Sequence, residues 1–597
     1  MKNLLKALLL LAIVFNTGCR KNDQPSVKEP DPITPDLISK ISTSISGYVM
    51  NESGKPVAMA TVSVGSSQML TDEYGYFSLS NTEVPAAAGV VKVYCKGYFM
   101  GYKTFVPEKN KSGFVRMQLL TKSETGVVSA ASGGEIATND GGKIILPANG
   151  VVAAATSSAY TGQVHVSIKN IDPSATENFQ AGMPGDGRAT DSVGHLKALR
   201  SYGAVAVELT GDNGQALQIA QGKTASIFIP ISSSLAASAP ESITLWSFNE
   251  GTGLWKQEGT AVKKDNTYCG TTSHFSFWAG AAGVPLVNFK ARVVDASLNP
   301  LSHVPVSVTV AGMPLNAGYG RFGYTDADGN ISGAVFANSN LILQVLTPCA
   351  IAAYAQNFTT TSTDIDLGQV TGNIGQSVVT ISGSVNNCAS KPVQNGYVQT
   401  YDHGFYNRIP VVNGAFSFTG IACSNLSVNV VAVDNATNLQ GTPQVITITA
   451  GTNNLGTLTA CGTSTMGNIT YTIDGVTTSL TEPADTVGGY YLTMTPDTST
   501  NIRTQIVTLS RNVNNNPQIS FQFDGNKTIG STHYLTEVFS PAFTSGRGYW
   551  PVQIPLTITE FGEIGGFISG SFSSKLIEFD NSAVHDFSCS FRIRRYN

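Results

Sequence analysis

Three stretches of this chain run through the same series of strand and turn signals, and that series leaves room for little except stacked β-structure. The first is Ile45-Ser46-Gly47-Tyr48-Val49, then Gly54-Lys55-Pro56-Val57, then Ala60-Thr61-Val62-Ser63-Val64, then Thr71-Asp72-Glu73-Tyr74-Gly75-Tyr76-Phe77. The second runs Phe289–Val293, Asn299-Pro300-Leu301, Val304–Val308 and Thr325-Asp326-Ala327-Asp328-Gly329-Asn330-Ile331. The third runs Ile381–Val385, Lys391-Pro392-Val393, Gly396–Thr400 and Asn413-Gly414-Ala415-Phe416. Each has an alternating strand, a turn built on proline, a second alternating strand, and a glycine-centred turn into a third. A period of two sends alternate side chains to opposite faces, so each strand buries one face against a second layer. The reading is an all-β, multidomain chain of β-sandwiches.

At 597 residues, the chain is long enough for several such units, since a single core rarely grows past about 200 residues. The repeats span 45–120, 286–372 and 378–461. Between the first two lies a different unit, 125–285, which carries three tryptophans toward its end. Residues 463–597 form a final β domain closing on the alternating segments Phe567–Ser573 and Cys589–Arg594. Charged residues are 13% of the chain and the net charge is −4. No basic patch is present to neutralise phosphates, which excludes nucleic acid as a partner.

The amino terminus adds an export signal. Met1–Lys6 is a short cationic start, Ala7–Phe15 an apolar run, and Asn16-Thr17-Gly18-Cys19 a small or polar break, so residues 1–19 read as a cleaved signal too short to span a bilayer. It resembles a bacterial lipoprotein signal, although Asn16 stands where such signals usually carry leucine. The resemblance implies lipid on Cys19 and anchoring in the outer membrane, facing the periplasm or the surface; a diacylated cysteine holds a protein stably. Residues 20–44, interrupted by Pro25, Pro30, Pro32 and Pro35, read as a semi-extended tether. Arg20-Lys21-Asn22-Asp23 resembles the charged tracts after the lipid site in exported lipoproteins of Bacteroidetes.

The repeated pattern resembles the carboxypeptidase regulatory-like domain, a small transthyretin-like β-sandwich, most fully over 45–118. The opening of the middle unit, Gly133-Gly134-Glu135-Ile136 with Gly141-Gly142-Lys143-Ile144, resembles the β-sandwich shared by netrin receptors, ankyrins and zonula-occludens proteins. Its tryptophan-bearing end resembles parts of extracellular-matrix proteins that also carry a regulatory-like domain. The final domain is similar to C-terminal β domains of exported Bacteroidetes proteins.

Each candidate chemistry has a plainer competitor. Metallocarboxypeptidases hold zinc through His-x-x-Glu, and none of the seven histidines here has glutamate at the third place after it. No metal site and no cofactor are expected. Asp326-Ala327-Asp328-Gly329-Asn330 starts like a calcium loop but lacks the late glutamate, so it reads as an Asp-Gly hairpin. Distant relatives of the middle sandwich cleave themselves within His-Phe-Ser, which makes His274, Phe275 and Ser276 candidates for autoproteolysis. The favoured reading is a strand with Phe275 and Phe277 toward the core, and His274, Ser276 and Trp278 opposite. Tyr401, His403, Phe405 and Tyr406 form one aromatic cluster, and Tyr549 with Trp550 a second. Exposed, they would stack on a glycan; otherwise they pack.

Cys349, Cys388, Cys423 and Cys461 are disulfide candidates with three alternative pairings. Of Cys95, Cys269 and Cys589, at least one is expected to stay free and buried. The function expected is non-enzymatic: an envelope or cell-surface lipoprotein that binds a glycan or an envelope protein, or scaffolds, through its modules. A passive stalk and a self-cleaving protein are the alternatives.

Overall fold

The computed structural model describes residues 28–173, 182–312, 320–347, 352–371, 377–402, 405–423, 425–482, 485–492, 503–510, 517–524, 529–543, 546–562, 565–579 and 582–595. The chain is all-β and multidomain, as the alternation requires, and the three repeats share one topology. In each, the opening strand (Lys40–Met50, Leu286–Val294, Val378–Asn387) lies between two neighbours. One is an antiparallel strand after the glycine turn, and the other is the repeat's closing strand, laid parallel.

The proline turn recurs down to single hydrogen bonds. Met50 bridges Pro56, Val294 bridges Pro300 and Asn386 bridges Pro392. Asn51, Asp295 and Asn387 each cap their turn by accepting two backbone N–H groups two and four residues on, at 2.8–3.1 Å. These short side chains hold a turn conformation by bonding their own backbone. At the glycine turns of the first two repeats, Gly75 and Gly329 take φ of 70° and 78°. A Cβ at either would run into the carbonyl of the opening strand, Val49 or Val293, so only glycine fits. The third repeat uses the two-residue turn Asn413-Gly414, which pairs Val412 with Ala415 and joins its two sheets into one.

The middle unit is one 13-stranded sheet system around the long strand Leu196–Thr210. Its strand Phe277–Val284 is covered on both faces. Phe277, Ala279 and Ala281 enter a core shared with Val90, Phe99 and Tyr102 of the first repeat. Trp278 and Phe275 enter the opposite core, which runs on without a break into the second repeat. In the C-terminal domain, Val584–Arg595 pairs with Phe567–Glu578 on one side and with Asn468–Ile473 and, briefly, Asp485–Leu492 on the other, so the meander returns on itself. Phe521, Phe523, Phe572, Phe587 and Phe591 fill it.

The tether is not a free spacer over its described part. Leu196 N donates to Ile33 O at 2.7 Å, Asn338 Nδ2 donates to Lys28 O at 3.0 Å, and Ile33 packs against the core shared by the middle unit and second repeat. Proline keeps this stretch extended, and an extended strip with open carbonyls can lie along a sheet margin. Among the described residues, no helix is long and apolar enough to cross a membrane.

Candidate functional site

The residues with the most distinctive chemistry gather where the first repeat meets the third. The turn Asp72–Gly75 presents a carboxylate whose Oδ1 accepts from Tyr74 N and Tyr76 N, at 2.9 and 3.0 Å, which leaves Oδ2 for the Arg408 guanidinium. That guanidinium lies 3.9 Å from the ring centre of Tyr76 and 4.0 Å from that of Tyr397, and its Nε donates to Gln399 Oε1 at 3.1 Å. Burial works against the Arg408 charge. Asp72 and the tyrosines more than offset it, and the group stays charged at every accessible pH.

Gln399, fully buried on the strand face opposite the core residue Val398, also donates from Nε2 to Tyr48 Oη at 3.1 Å. Tyr48 is ringed by Tyr76, Phe114 and Tyr406 at centroid distances of 5.2–6.1 Å, while Tyr74 packs on Tyr401 at 4.9 Å. Arg116 closes the contact by donating to Tyr406 O at 2.7 Å. A buried ion pair is tolerated when hydrogen bonds take up its remaining donors and acceptors, and here Gln399 accepts from Arg408 while the turn's own N–H groups donate to Asp72.

The first repeat reaches every other module. Thr104 Oγ1 donates to Gly253 O at 2.5 Å, and Glu52 pairs with Lys169 at 2.6 Å, both in the middle unit. Phe114 stacks on His303 of the second repeat at 3.9 Å. A side chain at Gly565 of the C-terminal domain would collide with Ala58.

This arrangement corrects the glycan reading of the first aromatic cluster. Phe405 and Tyr406 are 2% and 6% exposed, in the third repeat's core and the junction, and Tyr401 lies against Tyr74. Phe405 is buried within its own module, whereas the rings of Tyr401 and Tyr406 are covered by the first repeat, which strand alternation within one module does not reveal. His403 lies outside the described residues. Tyr549 and Trp550 fall on the strand Arg547–Phe561, but their side chains are likewise not described.

His274, Phe275 and Ser276 sit in a bend between the strands Thr267–Thr272 and Phe277–Val284, not within a strand. The expected facing is also overturned: Phe275 and Trp278 share one core and Phe277 enters the other. The His274 ring is bonded through Nε2 to Glu258 at 2.7 Å, and Ser276 Oγ donates to Phe248 O at 3.3 Å. Burial alone would raise the Glu258 carboxyl, but hydrogen bonds from Lys256 and His274 outweigh it and hold it low. Gln218 grips the Phe275 backbone, accepting from N and donating to O, each at 2.9 Å. Histidine and serine are each committed elsewhere, so intact-mass measurement should find one unbroken chain in both the wild type and Ser276→Ala. Fragments meeting at Phe275 and Ser276 in the wild type alone would refute this.

Of the cysteine candidates, Cys388 and Cys461 are bonded. Cys423 is also in a disulfide, and Cys349 lies outside the described residues, as does Cys19. Cys95, Cys269 and Cys589 are free thiols, with Cys589 buried and its pKa pushed up by that burial. Asp326 uses its carboxylate on its own turn, accepting from Asp328 N and Asn330 N at 2.9 and 2.8 Å. Trp246 and Trp255 are structural, donating to Ala281 O and Pro184 O from within the core.

Sequence reasoning passed over Asp72, Arg116, Gln399 and Arg408. The available signal was polar residues on strands whose neighbours alternate as apolar, as in Tyr397-Val398-Gln399 and Asn407-Arg408-Ile409.

No family model matches the sequence. The chain is 28% identical over 225 residues to mouse cartilage intermediate layer protein 2, covering 36% of this chain and 19% of that protein. It is 34% identical to the human protein over 117 residues, covering 20% of this chain and 10% of the relative. The chain therefore spans under a fifth of the length of these curated relatives. Among solved structures, the major pilin subunit BcpA of Bacillus cereus covers 56% of this chain at 10% identity, with a TM-score of 0.12. The Bacillus anthracis TIE protein covers 67% at 9% identity, with a TM-score of 0.13.

Proposed function

We propose that this chain is a non-enzymatic envelope or cell-surface lipoprotein, held in the outer membrane by lipid on Cys19, whose modules act together as one stiff scaffold. The observation that carries the reading is the first repeat, in direct contact with all four other modules. The partial likeness to a protein named for a cartilage layer supports a structural role. A glycan or protein partner would meet the outer faces of this body, away from Phe405 and Tyr406. The passive-stalk alternative requires a string of loosely linked modules, and the packed junction argues against it.

Replacing Cys19 with alanine tests both halves of the reading. The variant should move from the membrane to the soluble fraction. Once soluble, it should scatter as a compact particle with a radius of gyration of about 25–30 Å. A variant that stays membrane-bound removes the anchor. A radius roughly half as large again would indicate loosely linked modules and remove the scaffold.

A further inference from the structure

The first, second and third repeats enclose a cleft of about 190 Å³. An engineered apolar cavity of about 150 Å³ holds a benzene molecule, so one substituted six-membered ring fits here. Rings from separate modules wall it: Tyr324 from the second repeat, Tyr406 and Phe418 from the third. Aromatic side chains on several sides favour an aromatic guest, through edge or face contacts.

The polar groups in the wall select its charge. Arg116 lies 5.4–5.8 Å from the ring centres of Tyr48, Phe114 and Tyr324 and brings a positive charge to the cleft. The only carboxylate lining the cleft among the described residues, Glu52, is turned to Lys169 and to Thr121 N, at 2.6 and 2.9 Å. His303 also lines the cleft, stacked on Phe114 with 15° between the planes and held at φ 55°, in the left-handed region few side-chain-bearing residues adopt. Burial, aided by Arg116, pushes its pKa down to about 3, so the ring is neutral. Its Nδ1 is sealed from solvent and has no hydrogen-bond partner. A buried lone pair costs less than a buried orphan N–H, so the proton belongs on Nε2.

We propose that this cleft binds a small aromatic carboxylate, its ring among Tyr324, Tyr406 and Phe418 and its carboxylate facing His303 Nε2–H and the Arg116 charge. Three modules contribute to the site, so such a ligand would tighten their junction on binding. The proposal does not depend on membrane anchoring.

Benzoate is the probe, titrated into the whole soluble chain and followed by saturation-transfer NMR and thermal melting. Benzoate should bind at least about tenfold more tightly than benzamide, with benzylammonium weaker still, and should raise the melting temperature. His303→Phe keeps a ring against Phe114 but removes the donor, and should weaken benzoate at least about tenfold. If that variant does not fold, Met50→Trp, which adds bulk to the cleft wall, carries the same expectation. The proposal is overturned if benzoate fails to bind up to about 10 mM. Equal binding of benzoate and benzamide, or undiminished binding in whichever variant folds, overturns it as well.

Discussion

Replacing Arg408 by alanine should cost about 3 kcal/mol and release the third repeat from the first. Removing one partner of a buried ion pair strands the other, at about 3–5 kcal/mol. The low end applies because the Arg408 and Asp72 side chains keep 16% and 30% of their exposure. Loss of the stacking on Tyr76 and Tyr397 forms part of that total, since partly desolvated cation–π contacts contribute about 1–2 kcal/mol. Asp72→Asn should cost less, because an amide oxygen still accepts from Tyr74 N and Tyr76 N. The double variant should then fall short of the sum by more than about 1 kcal/mol, the mark of direct coupling. Chemical denaturation of all four proteins measures this, with scattering to follow the junction. Single variants within about 0.5 kcal/mol of wild type would mean that the contact holds nothing together.

Removing the Cys388–Cys461 bond should cost more, about 4 kcal/mol. The bond spans 73 residues and directly follows the last register pair, Asn387 with Ala460, of the parallel strands that open and close the third repeat. Those strands are joined only through the whole repeat, so the bond removes much of the unfolded chain's freedom. In the first two repeats, the parallel closing strand holds without such a link. Cys388→Ser with Cys461→Ser should therefore unfold the third repeat at lower denaturant while the C-terminal domain keeps its own transition. Hydrogen exchange resolves the two regions. Unchanged protection along Val378–Asn387 would show that the β-ladder alone suffices.

Legibility in the sequence followed the range of the interaction. The turn after each opening strand was readable because its causes are local: Asn51, Asp295 and Asn387 bond backbone groups within four residues, beside a proline. The glycines at 75 and 329 were readable for the same reason. The facing of Phe275 and Phe277 was misread because alternation assumes one buried face, and the strand from Phe277 has two. Tyr401 and Tyr406 were misread because composition cannot tell a ring that meets water from one that meets another module.

From residue order alone came the all-β class, the three repeats, their turns and the expectation that at least one of Cys95, Cys269 and Cys589 stays free and buried; the structure leaves all three free and buries Cys589. Each follows from strand period, backbone bonding within a turn, or the count of cysteines. Only the tertiary structure joined Asp72 to Arg408 across 336 residues and placed His303 against Phe114. Strand pattern specifies which face of a module is apolar. Which module covers that face depends on shape and charge matching between surfaces far apart in the chain, and no local pattern encodes it.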